Sequence, residues 1–230
     1  MKSKSISVIM AVCLLFSMYF LARTAAQYTM SQRGDQGRPV VVIDAGHGGV
    51  DPGKVGINGA LEKDINLSVA LLVEQYLEAQ DVKVVMTRNS DEGLYREDSV
   101  NKKMEDLKHR LALIDTAGAV IAVSIHQNSY TMESVHGAQV FYYDASEEGK
   151  KAAEIMQNQL RTGIDGNNKR EVKANSNYYL LKKSAVPTII VECGFLSNGE
   201  EAEKLIQKEY QEKMAWNISL GILQYLNGVL

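Results

Sequence analysis

The sequence is poor in the residues that mark unusual proteins. It has two cysteines and three prolines in 230 residues, and its formal net charge is only −3. Two cysteines build neither a disulfide scaffold nor a Cys-rich zinc site, so any metal must be held by histidines and carboxylates. Cys13 lies inside an N-terminal apolar run and Cys193 near the other end, an arrangement that argues against an intrachain bridge. So little proline, beside 18 glycines and no internal repeat, excludes a collagen or a low-complexity disordered chain. The basic residues are not clustered as a phosphate backbone requires, so no nucleic-acid partner is expected. What remains is ordinary globular composition, 45% hydrophobic and 23% charged.

The charge is unevenly placed. Lys2, Lys4, Arg23 and Arg33 fall in the first 36 residues against one acid, Asp35, so the rest is more acidic than the whole. Lys2 and Lys4 precede an apolar run over residues 6–22 interrupted only by Ser7 and Ser17. Its length lies at the border between a signal-peptide core, about 7–15 residues, and a spanning helix of about 17–25. Residues 1–26 therefore read as a signal peptide or an N-terminal membrane anchor, the uncleaved anchor being preferred because Arg23 is unusual beside the small residues at 24–26. Positive charge ahead of the run favours export of the chain on its C-terminal side. The expected location is extracytoplasmic, and the expected membrane contact is this segment alone. Residues 27–38 are polar and read as a linker.

Residues 39–230 read as one α/β domain. Short β-branched runs, typical of buried parallel strands, occur at 39–44, 82–87, 119–125, 138–143 and 188–191, and residues 178–181 read as a further short strand. Helical patterns fill 62–79, 104–117, 147–162 and 208–226. Strands alternating with helices give a mostly parallel twisted sheet covered on both faces. Residues 88–103 are polar and read as a surface loop.

In open α/β sheets ligands bind beyond the carboxyl ends of the strands. Here one strand runs into Gly46-His47-Gly48-Gly49, another into His126-Gln127-Asn128, and the last into Glu192-Cys193-Gly194. Two histidines and a carboxylate thus stand at three strand ends. The glycines around His47 permit positive φ and a close approach. A third metal ligand would come from nearby, and Glu62, Asp51 and Asp64 are alternatives that spacing does not separate. Two His and one Glu form a known zinc set with an open fourth position. Glu192, in an apolar segment, suits a proton-transfer role; its structural alternative is a buried carboxylate paired with Arg88 or Arg110. Of the other histidines, His109 falls on a solvated helix face, and His136 precedes a strand rather than following one, with the rim of the site as its alternative place. A cysteine hydrolase using Cys193 with His126 is disfavoured, because adjacent strand residues face opposite ways.

The stretches VVIDAGHGGVDPGKVG, LEKDINLSVA, SIHQNS and VPTIIVECGFLSN, in this order across residues 39–228, resemble the zinc-dependent N-acetylmuramoyl-L-alanine amidases of bacterial cell walls. The resemblance implies a six-stranded sheet and hydrolysis of the amide between N-acetylmuramic acid and the L-alanine of the stem peptide. It implies one Zn²⁺ held by His47, Glu62 and His126, with Glu192 as the catalytic carboxylate. Asn128 and His136 match positions near the substrate cleft. Peptidoglycan is the implied partner, and an accessory or activator protein fits the pattern. The wall-binding repeats of many members are not seen, and residues 127–137 leave no room for the autoinhibitory helix of division-associated members. A minimal domain behind an anchor looks like the sporulation branch, which strips stem peptides from spore-cortex muramic acid on the way to muramic lactam. The alternatives are a vegetative wall amidase and a non-catalytic wall-binding or activator domain.

Overall fold

In the computed structural model the described residues are 37–229 and, nearer the N-terminus, 10, 14, 16–21 and 23. The chain divides into two compact units, residues 1–38 and 39–230. In the first, residues 16–21 are helical, with the Phe16 and Phe20 rings 5.5 Å apart. Most of the expected leader, the candidate cleavage site, Cys13 and nearly all of the linker lie outside the described residues. Among the described residues no helix is long and apolar enough to cross a membrane.

The second unit contains strands β1 (Val40–Ala45), β2 (Lys83–Met86), β3 (Ile121–Asn128), β4 (Gln139–Tyr142), β5 (Lys173–Ala174) and β6 (Thr188–Phe195). Its helices are α1 (Glu62–Glu78), α2 (Lys102–Thr116), α3 (Glu147–Gly163), α4 (Tyr179–Lys183), α5 (Gly199–Leu205) and α6 (Lys208–Val229). The sheet order is β2-β1-β3-β6-β4-β5. β2, β1, β3 and β6 run parallel, β4 runs antiparallel to β6, and β5 parallel to β4. Three of the helices start where a side chain offers an acceptor for their unpaired amides. Asn101 caps α2, Ser146 caps α3 and Asn198 caps α5.

Alternation along the strands sends residues to two different layers. Val41, Ile43 and Ala45, Ile121, Val123 and Ile125, and Ile189, Val191 and Cys193 join one continuous core with α1, α3 and α6. The residues between them face α2 and α4. There Val42, Ala122, Ile114 and Leu180 make one small cluster, and Phe141, Ile190 and Leu181 another.

Three sequence expectations need correction. Residues 178–181 are not a strand: 179–183 form α4, and the adjacent Leu180 and Leu181 both pack on the same face of the sheet, which a strand cannot do. The sixth strand is the two-residue β5, too short for any pattern to reveal. The β3 and β6 runs also extend past 125 and 191, so His126 and Glu192 lie within strands rather than after them.

Candidate active site

The first side chain of the site stands on a strained loop. β1 ends at Ala45, and His47 then takes φ 63, followed by Gly48 at 137 and Gly49 at 57. A non-glycine residue there costs about 1–2 kcal/mol, so neighbours must hold it. Two arginines do so through three successive carbonyls. Arg110 donates to the carbonyls of Ala45 (2.7 Å) and His47 (2.6 Å). Arg88 donates to those of Ala45 (2.9 Å) and Gly46 (3.1 Å). Both arginines are buried. Arg110 is balanced by Asp44 at 2.6 Å and by Asp106. Burial pushes the Asp44 carboxyl up, but the field of Arg110 and the hydroxyls of Ser124 and Thr87 outweigh it and hold the pKa at about 2.

Glu62, the first residue of α1, folds back onto this loop. Its Oε1 lies 3.2 Å from His47 Nε2 and 2.9 Å from His126 Nδ1. Its Oε2 accepts the Lys54 amide at 2.7 Å. Two glycines make the approach possible. A Cβ on Gly53 would lie 2.5 Å from Glu62 Oε2, and one on Gly46 would run into the His126 ring. Donor atoms of His47, Glu62 and His126 all fall within 4.8 Å of one another, so the three could hold one metal ion. Burial raises the Glu62 carboxyl, yet hydrogen bonds and charge from His126 and His47 hold it well below the usual carboxylate range.

The rival acids are accounted for. Asp51 accepts from His47 Nδ1 at 3.0 Å, turning Nε2 toward Glu62. A carboxylate behind a ligating imidazole fixes its tautomer and orientation. Asp64 is exposed on the outer side of α1.

Glu192 sits opposite His126 in the β3–β6 register and is only 7% exposed. Its Oε2 is buried and has no hydrogen-bond partner among the described residues. Neither Arg88 nor Arg110 pairs with it; both are engaged around Asp44 and the His47 loop. Burial pushes its pKa up to about 7, with His126 opposing and Glu62 adding to the shift. Cys193, one residue on, faces the core, and burial pushes its thiol well up. Such a thiol is a poor nucleophile.

His47, Glu62, His126 and Glu192 open into a cleft of about 470 Å³, with Asn128 and Tyr178 in its walls. His136 does not line it; that residue is exposed, with Nδ1 2.9 Å from the Ser134 carbonyl. His109 is exposed on α2, as its charged neighbours suggest.

Comparison with known proteins identifies the family. The family model described as N-acetylmuramoyl-L-alanine amidase matches residues 41–224. The germination-specific N-acetylmuramoyl-L-alanine amidase of Bacillus subtilis is 40% identical over 189 residues, 81% of this chain and 79% of that one. The CwlD amidase from Clostridioides difficile, solved in complex with the GerS lipoprotein, superposes with a TM-score of 0.80 at 38% identity, covering 83% of this chain and 99% of that one. The catalytic domain of CwlV from Bacillus (Paenibacillus) polymyxa gives 0.73 at 32% identity, over 82% and 98%. With the family model and the relatives in agreement, the chain belongs to the N-acetylmuramoyl-L-alanine amidase family of peptidoglycan hydrolases.

Proposed function

We propose that this amidase is zinc-dependent, that His47, Glu62 and His126 hold one zinc ion, and that Glu192 moves the proton. The observation that carries the reading is Glu192 Oε2, a buried carboxylate oxygen without a partner beside three converging donors. Two imidazoles and one carboxylate are a donor set that zinc takes with a fourth position free.

Bound there, zinc supplies a Lewis acid for the amide carbonyl and lowers the pKa of water toward neutrality. The residues of the chain do the rest. Asp51 keeps His47 oriented. Glu192 accepts a proton from the attacking water as its oxygen adds to the lactyl carbonyl carbon. As the C–N bond breaks, Glu192 returns that proton to the departing L-alanine amine. A pKa near 7 suits a group that must both take and give a proton. The products are a lactyl carboxylate on the glycan and a stem peptide with a free amino terminus. Asn128, in the cleft wall, is the substrate contact we retain; His136 lies on the surface outside it.

In this reading residues 1–26 are a signal peptide or anchor, 27–38 a linker and 39–230 the catalytic domain, acting outside the cytoplasm. Spore-cortex peptidoglycan is the substrate we favour. Support comes from the germination-specific relative and from the short, helix-free connection between β3 and β4. The similar amidase solved with a lipoprotein supports an accessory partner here also.

Mass spectrometry of cortex fragments, with and without a chelator, tests this. Stem peptides beginning with L-alanine should appear, vanish on chelation and return with zinc. Chelator-insensitive cleavage, or cleavage within the peptide, would overturn it.

A further inference from the structure

A second recess of about 380 Å³ adjoins the cleft, and Asn128 and Tyr178 line both. Its walls include Arg170, Lys173, Phe141 and Phe195, with no acidic residue among those that line it. The Arg170 guanidinium lies 4.5 Å over the Phe195 ring, and Lys173 Nζ lies 5.7 Å over the Phe141 ring. Arg170 is fixed in place, with Nε donating to the His136 carbonyl at 2.6 Å and Nη1 reaching Gln139 Oε1 at 3.4 Å. The nearby acid, Glu201, is tied to the backbone amides of Gly137 (2.9 Å) and Phe195 (2.8 Å), though its field still reaches Arg170.

This arrangement selects between the two halves of the substrate. The glycan carries no charge once the muramic carboxyl is bound in the amide. A sugar ring would stack on an open aromatic face, but a cation covers a face of each phenylalanine. The stem peptide does carry carboxylates. Its second residue, joined through the side chain, keeps a free α-carboxylate unless that group is amidated. A planar guanidinium held rigid beside an ammonium is built to receive such a group.

We propose that this recess is the stem-peptide subsite, and that Arg170 and Lys173 receive the free carboxylate of the residue after L-alanine. The proposal rests on the amidase reading above. It makes Arg170 and Lys173 specificity residues of the same reaction, one short step along the substrate from the scissile bond.

The test compares uncrosslinked peptidoglycan strands bearing the free carboxylate with the same strands amidated at that group. The full-length protein should prefer the free acid about tenfold in kcat/KM, mostly through KM, as a charge-assisted contact would give. The preference should shrink with added salt. The double variant R170Q/K173Q should bring the ratio close to one. Lys173 is exposed, so K173Q alone carries the test if the Arg170 variant fails to fold, and the ratio should then fall about threefold. Lys151→Gln removes a similar exposed cation on α3, outside the recess, and should leave the ratio unchanged. A wild-type ratio near one, or a ratio unchanged in folded variants, would overturn the subsite. Wild-type protein that cleaves neither strand would remove the amidase reading itself, and the subsite with it.

Discussion

The two faces of the sheet are built on different terms. Toward α1, α3 and α6 strands β1, β2, β3, β4 and β6 contribute apolar side chains that merge into one core. Toward α2 and α4 the same strands are apolar only at first. Val42 gives way to Asp44, Ala122 to Ser124 and His126, and Ile190 to Glu192. One face thus carries most of the hydrophobic stabilisation. The other holds buried charge in a fixed arrangement, which contributes little net stability but collapses if one partner is removed.

The sharpest way to separate the faces is to break each. Arg110→Ala leaves Asp44 buried without its counter-charge and frees the carbonyl of His47, while Arg88 still donates to that of Ala45. Stability should fall by about 3–5 kcal/mol. The folded remainder should also hold zinc less tightly, because His47 loses its support. A chemical melt beside a zinc titration measures both. Leu77→Ala, fully buried on the other face, should cost about 2–5 kcal/mol through its cavity. Activity per folded molecule should be unchanged. If the Leu77 variant lost zinc affinity as the Arg110 variant should, the faces would not be separable in this way.

A smaller effect comes from pH. The Asp44 pKa is depressed in the folded state, to about 2 from 3.8. Its contribution is therefore complete above pH 4 and is lost as pH falls through the folded value. That contribution is worth about 2 kcal/mol at neutral pH. Melts between pH 5 and pH 2 should show it as an acid limb that is missing in Asp44→Asn. An unchanged limb in that variant would assign the acid sensitivity elsewhere.

Much of this is legible in the sequence, for identifiable reasons. Long β-branched runs and amphipathic stripes locate the main strands and helices. The rule that sites gather at strand ends locates His47, His126 and Glu192. Period-two alternation sends Glu192 and Cys193 to opposite faces, and the structure has Glu192 lining the cleft and Cys193 in the core. Glu62 is not separable from Asp51 and Asp64 by spacing, because the choice depends on how the loop closes over Gly53. Only the fold shows Asp51 turned behind His47. Arg88 and Arg110 are chemically suitable partners for Glu192, yet they serve Asp44 and the loop carbonyls. Arg110 meets Asp44 across 66 positions, a pairing that no local pattern encodes. Short elements escape for a related reason: β5 has two residues, and α4 is a single turn. Helix α5 has a readable signal in Asn198, an N-cap followed by Glu200 and Glu201. The Arg170–Lys173 recess lies in a stretch without periodicity, where nothing local brings it beside the cleft.

The central claim is that Glu192 handles the proton and does not hold the metal. Glu192→Gln preserves the shape while removing the acceptor. Its Oε2 has no partner to lose, so the melt should stay near that of the wild type. Zinc content should remain at one per chain, while kcat falls by on the order of 10²–10⁴. All three are read on one purified sample, as melting temperature, metal stoichiometry and turnover on peptidoglycan. A folded Glu192→Gln protein that loses its zinc, or that keeps its zinc and cleaves at the wild-type rate, would contradict the account.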